Sequence, residues 1–176
     1  MTRLGENGSL TFGLLGSWTQ EAVTNFGPGF LDFDCAGVFG LVCGNPTPEW
    51  KTRLRATWST PWDLDLSLAW RHMSGVTLDV NDPTDVTFGY LFNGPLGDVT
   101  DAQIKSYDYL DLAFSWDASD NIAVTGGVKN VLDRDPPAID SQTWGISSPP
   151  FGNANTYPVV YDPFGREMFI SVSTRF

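Results

Sequence analysis

The sequence lacks any run of about 18 apolar residues, the length that a transmembrane helix requires. This absence excludes a membrane-spanning helix, but a transmembrane strand needs only about ten alternating residues and is not excluded. The first ten residues, MTRLGENGSL, also lack the apolar core of a secretory signal. An exported protein would carry its signal outside this chain, so we expect a piece of a longer or processed polypeptide.

Basic residues are scarce, since 10 Lys and Arg stand against 21 Asp and Glu and give a net charge of −11. A polyanion would be repelled, which excludes nucleic acid as a partner. The sequence has a single histidine, His72, no plausible Ser, His and Asp arrangement, and no Gly-rich loop for a phosphate. We therefore predict no catalytic residues, no cofactor and no enzyme activity.

Cysteine is limited to Cys35 and Cys43, which lie in a Gly-rich stretch. A metal site would need further Cys or His nearby, and His72 lies far along the chain. A disulfide in an oxidising compartment is the favoured prediction, and two free thiols are the alternative.

Aspartates are concentrated between residues 76 and 105, among them Asp79, Asp82 and Asp85. Their carboxylates are suitable ligands for Ca²⁺, but the stretch lacks the glycine and the closing glutamate of an EF-hand loop. We therefore predict no metal site and interpret the stretch as a solvated loop.

Six segments alternate between apolar and polar residues with a period of two, which is typical of strands with one apolar face. In each segment most even-numbered side chains are apolar, whereas many odd-numbered ones are charged or small. A composition of 41% hydrophobic and 14% aromatic residues, with 18 Gly and 12 Pro, also favours strands and turns. The predicted strands cover residues 10–18, 50–58, 64–71, 110–116, 122–129 and 165–176.

The connections between these strands alternate between long loops and tight turns. In an antiparallel sheet all the long loops then lie at one end, and the tight turns and the C-terminus lie at the other. The step from Trp50 to Trp58 spans roughly 26 Å along the strand, or roughly 20 Å of height after tilting, close to the apolar band of a membrane barrel. Aromatic residues are expected at both borders: Trp18, Trp50 and Trp70 near the loops, and Trp58, Trp62, Trp116 and Phe176 near the turns.

Six strands cannot close a barrel that has a charged interior, and open edges in lipid leave backbone groups unsatisfied. The predicted fold class is therefore all-β: an antiparallel transmembrane β-barrel segment of about six strands, the last part of a larger barrel. The alternative is a secreted β-sandwich that binds a ligand such as a carbohydrate. In that fold the even-numbered leucines and tryptophans would be buried against a second sheet.

Two motifs carry a resemblance to a known family. The stretch GVKNVLDRDPP, with Lys129, Asn130 and Asp133, resembles the end of the penultimate strand in TonB-dependent outer-membrane receptors. The ending GREMFISVSTRF resembles the closing strand of the same family, with Phe176 as its terminal aromatic residue. The resemblance implies that residues 1–176 are the last six strands of a 22-stranded barrel, without the plug domain and the earlier strands.

The resemblance further implies energised import of a scarce small-molecule ligand, such as a metal chelate, a vitamin or a saccharide. It implies the outer membrane of a Gram-negative cell, with long loops extracellular and the C-terminus periplasmic. Lipid, the TonB system and the barrel-assembly machinery are the implied partners, and Phe176 is the implied assembly signal. Residues in or beside the loops that could contact a ligand are His72, Tyr90, Phe92, Tyr107, Tyr109, Trp144 and Tyr157.

Overall fold

The computed structural model describes residues 2–25, 27–28, 32–40, 42–79, 102–139 and 154–175. None of the helical structure in these ranges is long and apolar enough to cross a membrane. The strands are, in chain order, β1 (Thr2–Arg3), β2 (Ser9–Trp18), β3 (Val23–Thr24), β4 (Phe33–Asp34), β5 (Val38–Phe39), β6 (Trp50–Ser59), β7 (Leu64–Met73), β8 (Val76–Leu78), β9 (Gln103–Ile104), β10 (Tyr107–Ser119), β11 (Ile122–Lys129) and β12 (Glu167–Thr174).

The main sheet has seven strands in the order β1-β2-β6-β7-β10-β11-β12, and every neighbouring pair is antiparallel. All six predicted strands are present. The sheet also contains β1, which was not among the predicted strands because two residues are too few to show an alternating pattern. This short strand pairs with Ser9 and Leu10 of β2.

The tight turns lie at one end of the main sheet and the long connections at the other, as predicted. A 3-10 turn at Gly5–Asn7 joins β1 to β2, while residues 60–63 and 120–121 join the next two hairpins. The long connections are residues 19–49, 74–106 and 130–166. Side chains that belong to the long connections therefore all lie at one end of the sheet.

The strand register assigns the side chains to two faces. Residues opposite each other in an antiparallel pair point to the same side of the sheet. One row across the six long strands is Leu10, Trp58, Leu66, Phe114, Gly126 and Ile170. The even-numbered side chains thus form one surface, called here the apolar face, and the odd-numbered side chains form the polar face. The predicted division of the two surfaces is confirmed.

No second sheet covers the apolar face within the described residues. Leu14 is 73% exposed and Ile170 is 75% exposed, although both lie within long strands of the main sheet. The two other sheets are small: β3 pairs with β4, and β5, β8 and β9 form a three-stranded sheet, all within the long connections. A sandwich would bury these side chains between two layers, so the alternative of a β-sandwich was wrong.

The main hydrophobic cluster of buried side chains lies in the long connections rather than against the main sheet. Strand β5 pairs in parallel with β8, which in turn pairs with β9, and this brings together residues distant in sequence. Each of the three long connections contributes apolar side chains, which together we call the loop core. It consists of Phe39, Val76, Leu78, Ile104, Ile139, Tyr157 and Tyr161. The long connections are therefore packed against one another.

Candidate functional site

The candidate site is a depression of about 490 Å³ on the polar face, close to the long connections. The main sheet forms one wall, and residues 162–165 of the last long connection form another. Both walls contribute charged side chains, and we call the site the polar depression. Its charged residues are Arg53, Arg55, Arg71, Lys129, Asp111, Asp162 and Glu167.

Arg71 is held between two carboxylates. Its Nε and Nη2 atoms donate to Asp111 at 2.8 and 3.0 Å, a bidentate arrangement across neighbouring strands. Its Nη1 and Nη2 atoms also donate to Asp162, at 3.0 and 2.5 Å. Guanidinium suits this planar, two-point pairing better than an ammonium group does. Arg71 therefore links the sheet to the last long connection, 91 residues further along the chain.

Asn130 fixes the position of Asp111 from the beginning of that connection. Its backbone N–H donates to Asp111 Oδ1 at 3.0 Å, and its side chain bonds the backbone N–H and C=O of Arg134 at 3.0 and 2.8 Å. Asn130 is fully buried and has a φ of 49°, a left-handed conformation that asparagine tolerates better than most residues. The asparagine of the KNVLD motif thus turns the chain and orients a carboxylate of the site.

Asp133 joins the two ends of the last long connection. Its Oδ1 atom accepts the backbone N–H of Arg166 at 2.8 Å, while Arg166 Nε donates to the carbonyl of Val131 at 3.0 Å. Gly165 has a φ of +67°, and a Cβ atom there would lie 2.8 Å from Asp133 Oδ1. Glycine is therefore required by both conformation and space. The two sequence motifs that carry the family resemblance contact each other here.

Tyrosine side chains pack against Arg71 and against the last long connection. The guanidinium of Arg71 lies 4.7 Å from the ring centre of Tyr109, whose hydroxyl accepts the backbone N–H of Asp162 at 3.1 Å. Arg134 stacks at 3.9 Å over Tyr107, which packs edge-on against Tyr161 at 5.3 Å. Burial raises the pKa of Tyr161, so this hydroxyl stays protonated.

Two of the suggested ligand contacts are not accessible. Tyr109 and Tyr157 are 1% and 0% exposed, so their rings pack inside the protein and cannot stack on a ligand. Tyr107 is half-buried, and its hydroxyl donates to the carbonyl of Asp135. The suggested contacts Tyr90, Phe92 and Trp144 lie outside the described residues.

Cys35 and Cys43 are joined by a disulfide in the first long connection, with their Cα atoms 5.4 Å apart. The ring that they close is held by Asp79 of the second connection, whose carboxylate accepts the N–H groups of Val42 and Cys43 at 2.6 and 3.1 Å. Asp79 is only 1% exposed, so its interpretation as a solvated loop residue was wrong.

Metal binding has no support from the described residues, among which no group of His, Cys, Asp and Glu is suited to hold an ion. The other two aspartates of the candidate calcium loop, Asp82 and Asp85, lie outside the described residues. Asp79 itself accepts hydrogen bonds from backbone N–H groups of another loop.

His72 lies on the apolar face at its loop border rather than in the polar depression. Its Nδ1 atom is 2.8 Å from Asp108 Oδ1, which also accepts the indole N–H of Trp70 at 2.9 Å. Through these contacts the polar groups on this exposed apolar surface bond to one another within the protein. His72 is therefore part of a border cluster and does not line the depression.

Tryptophans mark both borders of the apolar face, as predicted. Trp18 and Trp50 stack at the loop border with ring centres 5.5 Å apart. At the turn border, the Trp58 indole donates to the carbonyl of Asn7 at 3.0 Å. An apolar band between two aromatic borders is typical of strands that cross a bilayer. Phe176, the predicted assembly signal, lies outside the described residues.

Sequence comparisons find no match, since no family model and no curated protein matches this chain. Among solved structures, the chain is similar to the ferric enterobactin receptor of Pseudomonas aeruginosa. For that receptor in complex with BCV-L6, the TM-score is 0.51 at 18% identity, covering 74% of this chain and 17% of the receptor chain. For a single-residue variant of the receptor, the TM-score is 0.50 at 17% identity, covering 74% and 16%.

This similarity extends over about one sixth of the receptor's length and is a similarity of fold. It confirms the predicted fold class, an all-β antiparallel barrel segment.

Proposed function

We propose that this chain forms the C-terminal barrel wall of a TonB-dependent outer-membrane transporter rather than an enzyme. The observation that carries the proposal is the pair of oppositely composed faces. One face is apolar, exposed and bordered by tryptophans, and the other carries the charged polar depression. A wall between lipid and an aqueous lumen needs this division, because its outer side must contact acyl chains and its inner side water.

The strand lengths fit a bilayer. Strands β2, β6 and β7 each have 10 residues. At about 3.3 Å per residue and a tilt of about 40°, ten residues cover roughly 25 Å of height, the height of the apolar band in membrane barrels. These strands are thus long enough to cross the apolar band of a bilayer.

Within the part of the chain that the structure describes, the sheet has two open edges, which supports a larger barrel. There, strand β12 pairs only with β11, and β1 covers only Ser9 and Leu10 of the outer edge of β2. Unpaired backbone groups in hydrocarbon cost several kcal/mol each, so further strands must cover both edges in a membrane. We propose that residues 1–176 complete a barrel of about 22 strands, whose earlier strands and plug lie outside this chain. The chain alone is then not expected to transport.

The proposed cargo is a scarce small molecule, such as a metal chelate, a vitamin or a saccharide. The solved receptor with a similar fold is named for ferric enterobactin, which favours a metal chelate among these. In the proposed orientation the long connections are extracellular and the C-terminus is periplasmic. Energy would come through TonB, and Phe176 would be read by the barrel-assembly machinery.

Site-directed spin labelling tests which face meets lipid. Ile170 and Ser171 are exposed neighbours on β12 that point to opposite faces, so each is the matched control for the other. Labels on Ile170→Cys and Ser171→Cys would be placed in the complete gene product in phospholipid vesicles. We expect the label at position 170 to be accessible to oxygen and shielded from a water-soluble nickel complex, and the reverse at position 171. Equal access of the nickel complex to both labels would refute the lipid-facing assignment.

A further inference from the structure

We propose that the polar depression binds a small anion with two or more carboxylate-like groups, and that the Asp162 carboxylate occupies part of this site when the anion is absent. The inference rests on the proposed function, because it assigns a ligand class to the inner face of the barrel wall. Three features support it: the local charge, two arginines that have no ion-pair partner among the described residues, and the difference between the two carboxylates at Arg71.

The local charge of the depression is opposite to that of the chain. The whole sequence has a net charge of −11. The depression is lined by four cationic side chains and three carboxylates, so it carries one positive charge in excess. Withdrawal of Asp162 would leave two. A positively charged cavity on an acidic protein binds anions in preference to neutral or cationic solutes.

Arg53 and Arg55 have no ion-pair partner within 4 Å among the described residues. Arg53 also lies directly opposite Arg71 in the register of β6 and β7. Like charges in this position repel each other, and Asp111, which pairs with Arg71 and also attracts Arg53, offsets part of this repulsion. A ligand carboxylate placed there would contact two guanidinium groups.

The two carboxylates at Arg71 are held differently. Asp111 accepts from both Arg71 and the backbone N–H of Asn130, and it belongs to the sheet. The Asp162 carboxylate has Arg71 as its only partner among the described residues, and it belongs to the last long connection. One carboxylate suffices to neutralise one guanidinium. Asp111 is therefore the structural counter-ion, and Asp162 is the displaceable one.

The displacement requires no movement of the loop backbone. The N–H of Asp162 is bonded to the hydroxyl of Tyr109, which is buried. Rotation of the Asp162 side chain frees two N–H groups of Arg71 while this backbone contact remains. A carboxylate of the ligand then accepts the same two hydrogen bonds, and its second anionic group reaches Arg53 or Arg55. Such two-point pairing is specific for carboxylate, phosphate and similar oxyanions.

Calorimetric titration of the complete gene product in detergent tests the site, with citrate as the polyanionic probe and glucose as the neutral one. The key variant is Asp162→Asn, which keeps the shape of the side chain and removes the competing charge. Its matched control is Asp65→Asn, because Asp65 lies on the same polar face but does not line the depression. Both variants change the net charge equally.

We expect the dissociation constant for citrate to fall at least tenfold in Asp162→Asn and less than twofold in Asp65→Asn. Arg71→Gln should weaken citrate binding at least tenfold, and adding Asp162→Asn to it should restore nothing. The proposal would be overturned if the two aspartate variants had equal effects, or if no variant bound citrate. It would also be overturned if Asp162→Asn tightened citrate binding in the Arg71→Gln background. If glucose affinity changed across these variants as citrate affinity does, the assignment of an anionic ligand would be wrong. Spin labelling of β12 tests the membrane wall separately, so failure of the two proposals can be distinguished.

Discussion

Removal of Asp111 should destabilise the protein much more than removal of Asp162, although both carboxylates pair with Arg71. Asp111 accepts three hydrogen bonds: two from Arg71, at 2.8 and 3.0 Å, and one from the backbone of Asn130, at 3.0 Å. Its side chain is 15% exposed, so water replaces these bonds poorly. Hydrogen bonds to charged groups contribute about 1.5–3 kcal/mol each and are not additive when shared. We expect Asp111→Ala to lower the free energy of unfolding by about 3 kcal/mol.

Asp162→Ala provides the comparison. Arg71 keeps its bidentate pair with Asp111 in this variant, and no backbone N–H loses an acceptor. The Asp162 side chain is also more exposed, at 29%, so water compensates for part of the loss. We expect a decrease of about 1 kcal/mol or less, in the range of partly solvated ion pairs.

The assay is urea unfolding of the complete gene product from phospholipid vesicles, followed by tryptophan fluorescence. The free energy of unfolding must fall with urea concentration at the same slope in each variant as in the parent, so that a shift in the midpoint reports stability alone. Equal decreases for the two alanine variants, or a larger decrease for Asp162→Ala, would refute the distinction between a structural and a displaceable carboxylate.

Two further predictions concern the contact between Gly40 and Asp79 and the chain end. Gly40 has a φ of +142°, and a Cβ there would overlap the Asp79 carboxylate, so Gly40→Ala should speed proteolysis of the long connections several-fold. Gly44→Ala is the control, since Gly44 also has a positive φ but has open space around it, and equal sensitivity would contradict the overlap. Phe176→Ala in the complete gene product should lower its amount in the outer membrane, measured by immunoblot. Phe164→Ala, which changes an exposed aromatic residue elsewhere, should not, and normal levels of Phe176→Ala would exclude the assembly role.

The main sheet could be predicted because the sequence pattern of each strand is visible within that strand alone. Each long strand shows a period of two over at least about seven residues, as between Trp50 and Trp58, and the length of each connection shows at which end it lies. The two faces follow from the same alternation. The short strand β1 shows the limit of this method, because Thr2 and Arg3 have no pattern to detect.

The polar depression could be predicted only in part. The strand pattern placed Arg53, Arg55 and Arg71 on one face, and the family motif singled out Asn130 and Asp133. Their roles depend on a left-handed backbone and on contacts between distant segments, which leave no periodic signal. The pairing of Arg71 with Asp162 joins residues 91 positions apart, and nothing in the surrounding sequence indicates it.

The loop core was missed for the same reason. It joins Phe39 to Tyr157, which pack edge-on at 5.9 Å although they belong to the first and third connections. The strands that organise it have two or three residues, and β5 pairs in parallel with β8. The apolar residues that pack there are scattered among glycine, proline and aspartate, so they form no periodic pattern.

Because one shared interior unites the described parts of the three long connections, these parts should unfold as a single cooperative unit and not independently of one another. A deletion that removes Phe39 would then loosen the third connection as well, including the segment that positions Asp162. Transfer of these segments to another sheet should accordingly move all three together, since grafting any one of them alone would leave the interior incomplete.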